Sequence, residues 1–408
     1  MTLFDVTEFG AAGNGEVNDT AACQNAADAC REIGGGTLFF PADRTFLIDK
    51  LIIYSNTKVE LAGGSRIAAN PAAGGGVFDS VIEAADASNI RISGTGSIDG
   101  NGLRYMDTGH PHLYRAVRSR PKLLAFRRCR NIRLHDISVR NSAFWALTAA
   151  GCSDVVISGV TVLNSLKAPN TDGIDIDNSS FVRISDCYIE SGDDCICIKT
   201  TGHEPGAGPS ENITVTGCVM RSSSCAFKLG SESTDDIRNV AVHGCIITGS
   251  NRGIGLQLRD QGSMENIMFS DMIVTTELKY PGWWGRAEPV YVTAFPRKEG
   301  GRTGKIRNIT FMNINCNAEN GFYLAGMPDN HLKDINIKDV RLHLEKRTEY
   351  PGGCYDRRPG AGQEVVTHQT AGLHAEYIEG LNLKDFTVTR GDDIPEYFGP
   401  DVYRHSVR

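Results

Sequence analysis

Apolar residues alternate with polar ones along most of this chain, and the alternation is punctuated at intervals by a residue that favours a turn. A nine-residue pattern, Asn/Asp-Φ-x-Φ-x-(Asp/Gly/Asn)-Φ-x-Φ with Φ apolar, begins at Asn131, Asp154, Phe181, Asn212, Asn239, Asn266, Asn308 and Asp334, with weaker copies at Asn89 and Gly380. Period-2 alternation predicts strands with one buried face. A longer fixed repeat predicts units that each bury their apolar face against the next. The copies lie mostly roughly twenty-odd to thirty residues apart, one coil of a stacked solenoid. Longer gaps before Asn131, Asn308 and Gly380 require inserted loops or irregular coils. The predicted fold is therefore all-β, a single-stranded right-handed parallel β-helix. The seventh position of each copy reads Ile137, Val160, Cys187, Cys218, Cys245, Met272, Ile314 and Val340, a column that points inward and stacks coil on coil.

The opening segment departs from the pattern. Asp19-Thr20 caps a predicted helix running to about Ile33, with Ala22, Ala26, Cys30 and Ile33 on one stripe and Gly34-Gly35-Gly36 as its stop. A solenoid end exposes core, and an amphipathic helix before Thr37-Leu38-Phe39-Phe40-Pro41 covers it. No linker composition interrupts the chain, so its 408 residues read as one elongated domain. About 1–50 form the cap and first coil, about 51–390 the stacked coils with their loops, and about 391–408 a C-terminal tail. Gly10-Ala11-Ala12-Gly13-Asn14-Gly15 lacks the strand and helix of a dinucleotide fingerprint.

Composition narrows the function. A net charge of −7 argues against a nucleic-acid partner, and no stretch resembles a membrane span. The first residues carry no basic segment followed by an apolar one, which predicts a cytoplasmic protein. Several of the twelve cysteines fall in the inward column and none forms a double CxxC, so reduced core thiols are expected and no metal or cofactor.

Two runs carry candidate chemistry: Asn170-Thr171-Asp172-Gly173-Ile174-Asp175-Ile176 and Ser191-Gly192-Asp193-Asp194-Cys195-Ile196-Cys197-Ile198-Lys199. In each, carboxylates gather at the mouth of an alternating strand. Asx-rich turns also cap ordinary strands. Aligning the inward pairs Ile174/Ile176, Ile196/Ile198, Phe227/Leu229 and Leu256/Leu258 superposes Asp172, Asp194, Cys225 and Ile254 on successive coils. Coils are about 4.8 Å apart, so Asp172, Asp193 and Asp194 are expected to surround one spot. The same alignment puts Asp175, Cys197, Lys228 and Gln257 in one outward column.

Phe9-Gly10-Ala11-Ala12-Gly13-Asn14-Gly15, Asn18-Asp19-Thr20, Ile98-Asp99-Gly100-Asn101-Gly102, Asn141-Ser142-Ala143-Phe144-Trp145, Asn170-Thr171-Asp172-Gly173 and Gly192-Asp193-Asp194 together resemble glycoside hydrolase family 28, the polygalacturonases. The resemblance implies metal-free hydrolysis of α-linked sugars of pectin, with inversion. It implies Asp193 as general acid, with Asp172 and Asp194 positioning and deprotonating the water, and Asn170 among the substrate-binding residues. Inversion needs an acid and a base on opposite faces of the sugar, roughly 6.5–9.5 Å apart. Two departures bear on the site. The family's Gly-His-Gly reads Ser224-Cys225-Ala226, and its Arg-x-Lys reads Gln257-Leu258-Arg259. Lys228 with Arg259 and Gln257 is then a candidate clasp for a sugar carboxylate or, with Lys228 paired to Asp175 or Glu232, no clasp at all.

Trp283, Trp284 and Tyr291 lie in the run Tyr280-Pro-Gly-Trp-Trp-Gly-Arg-Ala-Glu-Pro-Val-Tyr291. The two tryptophans are either a cleft wall for sugar faces or a loop packing its own rings, and the resemblance puts Tyr291 where the family carries a tyrosine near the scissile sugar. The gap from about Gly102 to Pro121 holds His110, His112 and, counting Lys122, five basic residues. Such a loop is solvated or closes one end of a cleft, which would make the enzyme exo-acting. A hydrolase of galacturonan or rhamnogalacturonan fragments, with an oligosaccharide as its partner, is the leading reading. A calcium-dependent lyase and a non-catalytic carbohydrate-binding β-helix are the others, because fold does not fix function.

Overall fold

The computed structural model describes residues 2–72, 79–361 and 364–408. Its contacts divide into two compact units, Met1–Gly192 and Asp193–Arg408. Each is built from parallel strands that wind as a right-handed β-helix, with three faces per coil.

In the first unit one stack runs from Leu3–Asp5 through Gly36–Phe40, Thr57–Leu61, Ser88–Gly94, Arg130–His135 and Ser153–Ser158 to Ser180–Ser185. A second runs from Thr45–Ile48 through Arg66–Ala69, Ser97–Asp99, Ser138–Arg140 and Thr161–Leu163 to Tyr188–Ser191. The third runs from Leu51–Ile52 through Ser80–Ala85, Lys122–Arg127 and Leu147–Ala150 to Ile174–Asp177. The second unit repeats the plan. One stack carries Ile196–Thr200, Cys225–Ser233, Arg252–Leu258, Glu288–Ala294, Phe322–Ala325, Leu373–Arg390 and Val402–Val407. Within the expected tail, Val402–Val407 thus adds a further parallel strand.

The turn residues explain why the pattern repeats. Asn89, Asn131, Asp154, Phe181, Asn212, Asn239, Asn266, Asn308, Asp334 and Gly380 all have φ between 52° and 76°. Asn, Asp and Gly tolerate this left-handed region best, and the first position of every copy but the one at Phe181 carries one of them. The asparagine amides also bond from coil to coil, Asn239 to Asn212 at 3.1 Å, Asn266 to Asn239 at 3.2 Å and Asn308 to Asn266 at 2.8 Å. Every member of the predicted inward column, from Ile137 to Val340, is buried, and stacked rings such as Phe269 and Phe311, 5.3 Å apart, fill the interior beside it.

The helix forms at Thr20–Glu32, but its buried stripe is Cys23, Ala26, Ala27 and Cys30. Ile33 is exposed. Asp19 does not cap through its side chain; its carboxylate turns back to the amides of Ala12 and Gly13 at 2.6 and 3.0 Å. Asn18 accepts from the amide of Thr20 instead.

Candidate active site

In the first unit, Asp172 sits at the turn into Ile174–Asp177. Its backbone carbonyl accepts from the amide of Ala146 at 2.8 Å, and its side chain is almost fully buried. The turn is tied down on every side. Asn170 adopts φ 57°, and the Arg120 guanidinium donates to its side-chain oxygen at 2.9 Å and to the Pro169 carbonyl at 2.6 Å. The Thr171 carbonyl accepts from the Asn164 amide and the Ser191 hydroxyl, while the Thr171 hydroxyl accepts from the amide of Gly192 at 3.3 Å. Gly192 is obligatory here, because a Cβ would lie 2.0 Å from the Ala168 carbonyl oxygen. Lys122, Trp145 and Asp172 occupy the same place on three successive coils, two residues before Leu124, Leu147 and Ile174. The Lys122 ammonium lies 4.2 Å from the Trp145 ring centroid.

In the second unit Asp193 and Asp194 are adjacent in sequence but differ in environment. Asp193 is half-buried, and its carbonyl accepts from the Ser222 hydroxyl. Asp194 is buried and ion-paired with Lys228, Nζ to Oδ2 2.8 Å. Burial would pull the Lys228 ammonium below its ordinary value, yet the charges of Asp194, Asp193 and Glu232 hold it well above. Lys228 therefore pairs with Asp194, where the sequence reading had offered Asp175 or Glu232 as its acid partner.

The register corrects the proposed columns. Phe227 pairs with Ile254 and Leu229 with Leu256, so Lys228 faces Gly255, Cys225 faces Arg252, and Gln257 faces Gly230. Slipping an alternating strand by two residues keeps every side chain on its face, so the apolar pattern could not detect the error. Gln257 is buried away from Lys228's column. Arg259 is not beside Lys228 either. Its five N–H groups go to the Pro359 carbonyl, the Leu258 carbonyl at 3.0 Å, the Thr293 carbonyl at 3.2 Å, the Thr293 hydroxyl at 2.9 Å and the Arg357 carbonyl at 3.5 Å. With every donor engaged, it holds the wall and has none left for a sugar carboxylate.

The aromatic loop divides. Trp283 is 6% exposed and packs inward, whereas Trp284 is 41% exposed. Tyr291 is fully buried, under the Arg252 guanidinium at 3.7 Å, and burial raises its phenol above the ordinary value. Two features escaped the sequence reading. Arg252 and Glu288 form a buried pair at 3.1 Å on the coils following Cys225. A strap around Cys354–Pro359 crosses the outer face: Tyr355 stacks on Tyr323 at 4.3 Å, Asp356 accepts from the Gly285 amide at 2.9 Å, and Arg252 donates to the Asp356 carbonyl at 3.0 Å. The strap lies between repeats, where periodicity carries no signal.

A parallel β-helix presenting buried and half-buried carboxylates at the mouths of its strands suits a carbohydrate-active protein, and sequence kinship fixes the class. The chain belongs to glycosyl hydrolases family 28, whose model matches residues 30–351. It is 26% identical over 385 residues to a probable polygalacturonase of Vitis vinifera, covering 86% of this chain and 76% of that protein. In fold it is similar to an exopolygalacturonase of Thermotoga maritima, with TM-score 0.70 at 21% identity over 84% of this chain and 87% of that one. It is similar also to a family 28 exopolygalacturonase of Yersinia enterocolitica, with TM-score 0.69 at 18% identity over 100% and 77% of the two chains. The chain is thus a glycosidase acting on pectin substrates. The expectation of a cytoplasmic protein is overturned, because the plant polygalacturonases to which the chain is similar are cell-wall enzymes. Eleven of the twelve cysteines are buried, which reports the packing of a solenoid core and not a compartment. No helix among the described residues is long and apolar enough to cross a membrane.

Proposed function

We propose that this enzyme cleaves α-glycosidic bonds of galacturonan or rhamnogalacturonan fragments with inversion and from chain ends. Asp193 donates the proton to the leaving oxygen, and Asp172 with Asp194 positions and deprotonates the water. The observation that carries this reading is the difference between the two neighbouring acids. Asp194 is buried against an ammonium, whereas Asp193 is half-buried. Neighbouring carboxyl groups in unlike environments divide into base and acid.

One feature supports action at chain ends, and a second supports an acidic substrate. The strap closes the outer face over Tyr291 and Tyr323, both fully buried, so no extended chain lies along those coils. In the first unit the stretch from Gly102 to Lys122 brings Arg104, Arg115, Arg118, Arg120 and Lys122 against a single acid, Asp107, in a chain whose net charge is −7. That local excess of positive charge supports an acidic sugar on the Lys122–Trp145 side of Asp172, with Asn170 as a further contact. The test is a panel of galacturonan and rhamnogalacturonan oligosaccharides, with reducing-end release measured and the product anomer followed by NMR. An unsaturated product absorbing in the ultraviolet, or retention at the anomeric carbon, overturns the reading.

A further inference from the structure

The support of Asp194 differs from what the family resemblance implied. Cys225 stands where a histidine was expected; burial first, and then the charge of Asp194, push its thiol far up, so it stays neutral. Arg252, the next cation on that side, is committed to Glu288 and the Asp356 carbonyl. Lys199, from the neighbouring strand, acts on Glu232. Lys228 is left facing Asp194 at 2.8 Å, with side chains 10% and 2% exposed. It donates to Oδ2, while Oδ1 is buried with no hydrogen-bond partner among the described residues.

We propose that Lys228 is a positioning residue of the hydrolytic site: in place of the absent histidine, it fixes Asp194 through Oδ2 and keeps it charged, so that Oδ1 is the atom offered to the attacking water. The inference rests on the assignment of Asp194 to the water. A buried carboxylate without a counter-charge takes up a proton, and a protonated Asp194 accepts none from water. Asp193 is the next residue, and loss of the ammonium would leave two adjacent acids competing for one proton, with no fixed division into acid and base. Because the charge of Lys228 is spent on Asp194, its role does not depend on whether the substrate sugar carries a carboxylate.

The test compares wild type with Lys228→Met, Lys228→Gln and Lys228→Arg, using trigalacturonate and a rhamnogalacturonan oligosaccharide. The uncharged variants are expected to lose about 100-fold in kcat per folded molecule with little change in KM. The acidic limb of their pH–rate profile should move up by about one pH unit or more, and Lys228→Arg should recover much of both losses. A variant that melts at lower temperature but keeps the wild-type pH profile and kcat would make Lys228 a structural counter-ion and overturn the proposal. A rise confined to KM, and only for the uronate, would make it a substrate ligand. Should the wild type hydrolyse neither probe, the proposed function falls, and the carboxyl 13C titration of aspartate-labelled protein still decides on Lys228. An Asp194 resonance that titrates alike in wild type and Lys228→Gln overturns it.

Discussion

Replacing Arg259 by Leu removes one of the contacts that pin the strap. Of the five donors, two reach the strap, at the carbonyls of Arg357 and Pro359, and three hold its own strand and the next. Hydrogen bonds from a charged donor contribute about 1.5–3 kcal/mol each, which puts a ceiling of about 3–6 kcal/mol on the strap-side pair. The leucine also removes the cost of burying a guanidinium, so the net weakening of the strap is about 2–4 kcal/mol. That multiplies the opened population by about 30- to 700-fold. Limited proteolysis should therefore cut within residues 354–361 far faster in Arg259→Leu, while the melting temperature of the solenoid falls by only a few degrees. Chromatography of products from polygalacturonate should show longer oligomers as the outer face over Tyr291 is uncovered. Unchanged cleavage kinetics, or faster cleavage with products still released from chain ends alone, would refute the argument that this arginine and the strap close the groove.

Further outcomes follow from the same geometry. Asp193→Asn should abolish turnover with folding and substrate binding retained, since the amide matches the shape but donates no proton; near wild-type activity of purified mutant sinks the role assignment. Gly192→Ala should lower kcat by about tenfold or more, because its Cβ would sit 2.0 Å from the Ala168 carbonyl oxygen and push the next residue, Asp193, out of place; an equal rate would show that the Ser165–Ala168 turn yields freely. Stability should fall in two stages as acid is added, followed by urea denaturation against pH. Burial holds His374 below its ordinary value despite Glu376, so its contribution is complete above about 6.5 and is lost as pH falls through its folded value. Burial raises Glu319, Asp356 and Glu376, but their hydrogen bonds and cations outweigh it and hold them low; what they contribute disappears only below about pH 4. Activity should survive EDTA, whereas inhibition reversed by calcium would favour the lyase reading.

The solenoid was legible from the sequence because its signals are local. Alternation defines the buried face, and the left-handed turn at each repeat start admits few residues besides Asn, Asp and Gly, so Asn131, Asn239 and Asn308 announce the coils. Asp172 and Asp194 were legible for the same reason, each standing two residues before an inward pair. Neighbour relations were not. A two-residue slip leaves the alternating pattern unchanged, and only inter-strand hydrogen bonds set Lys228 against Gly255 instead of Gln257. Long-range contacts likewise gave Lys228 to Asp194, Arg259 to the carbonyls of the strap and Trp283 to the interior. Which side chain meets a buried charge is decided by desolvation and the reach of elements far apart in sequence, and the repeat pattern carries no record of either.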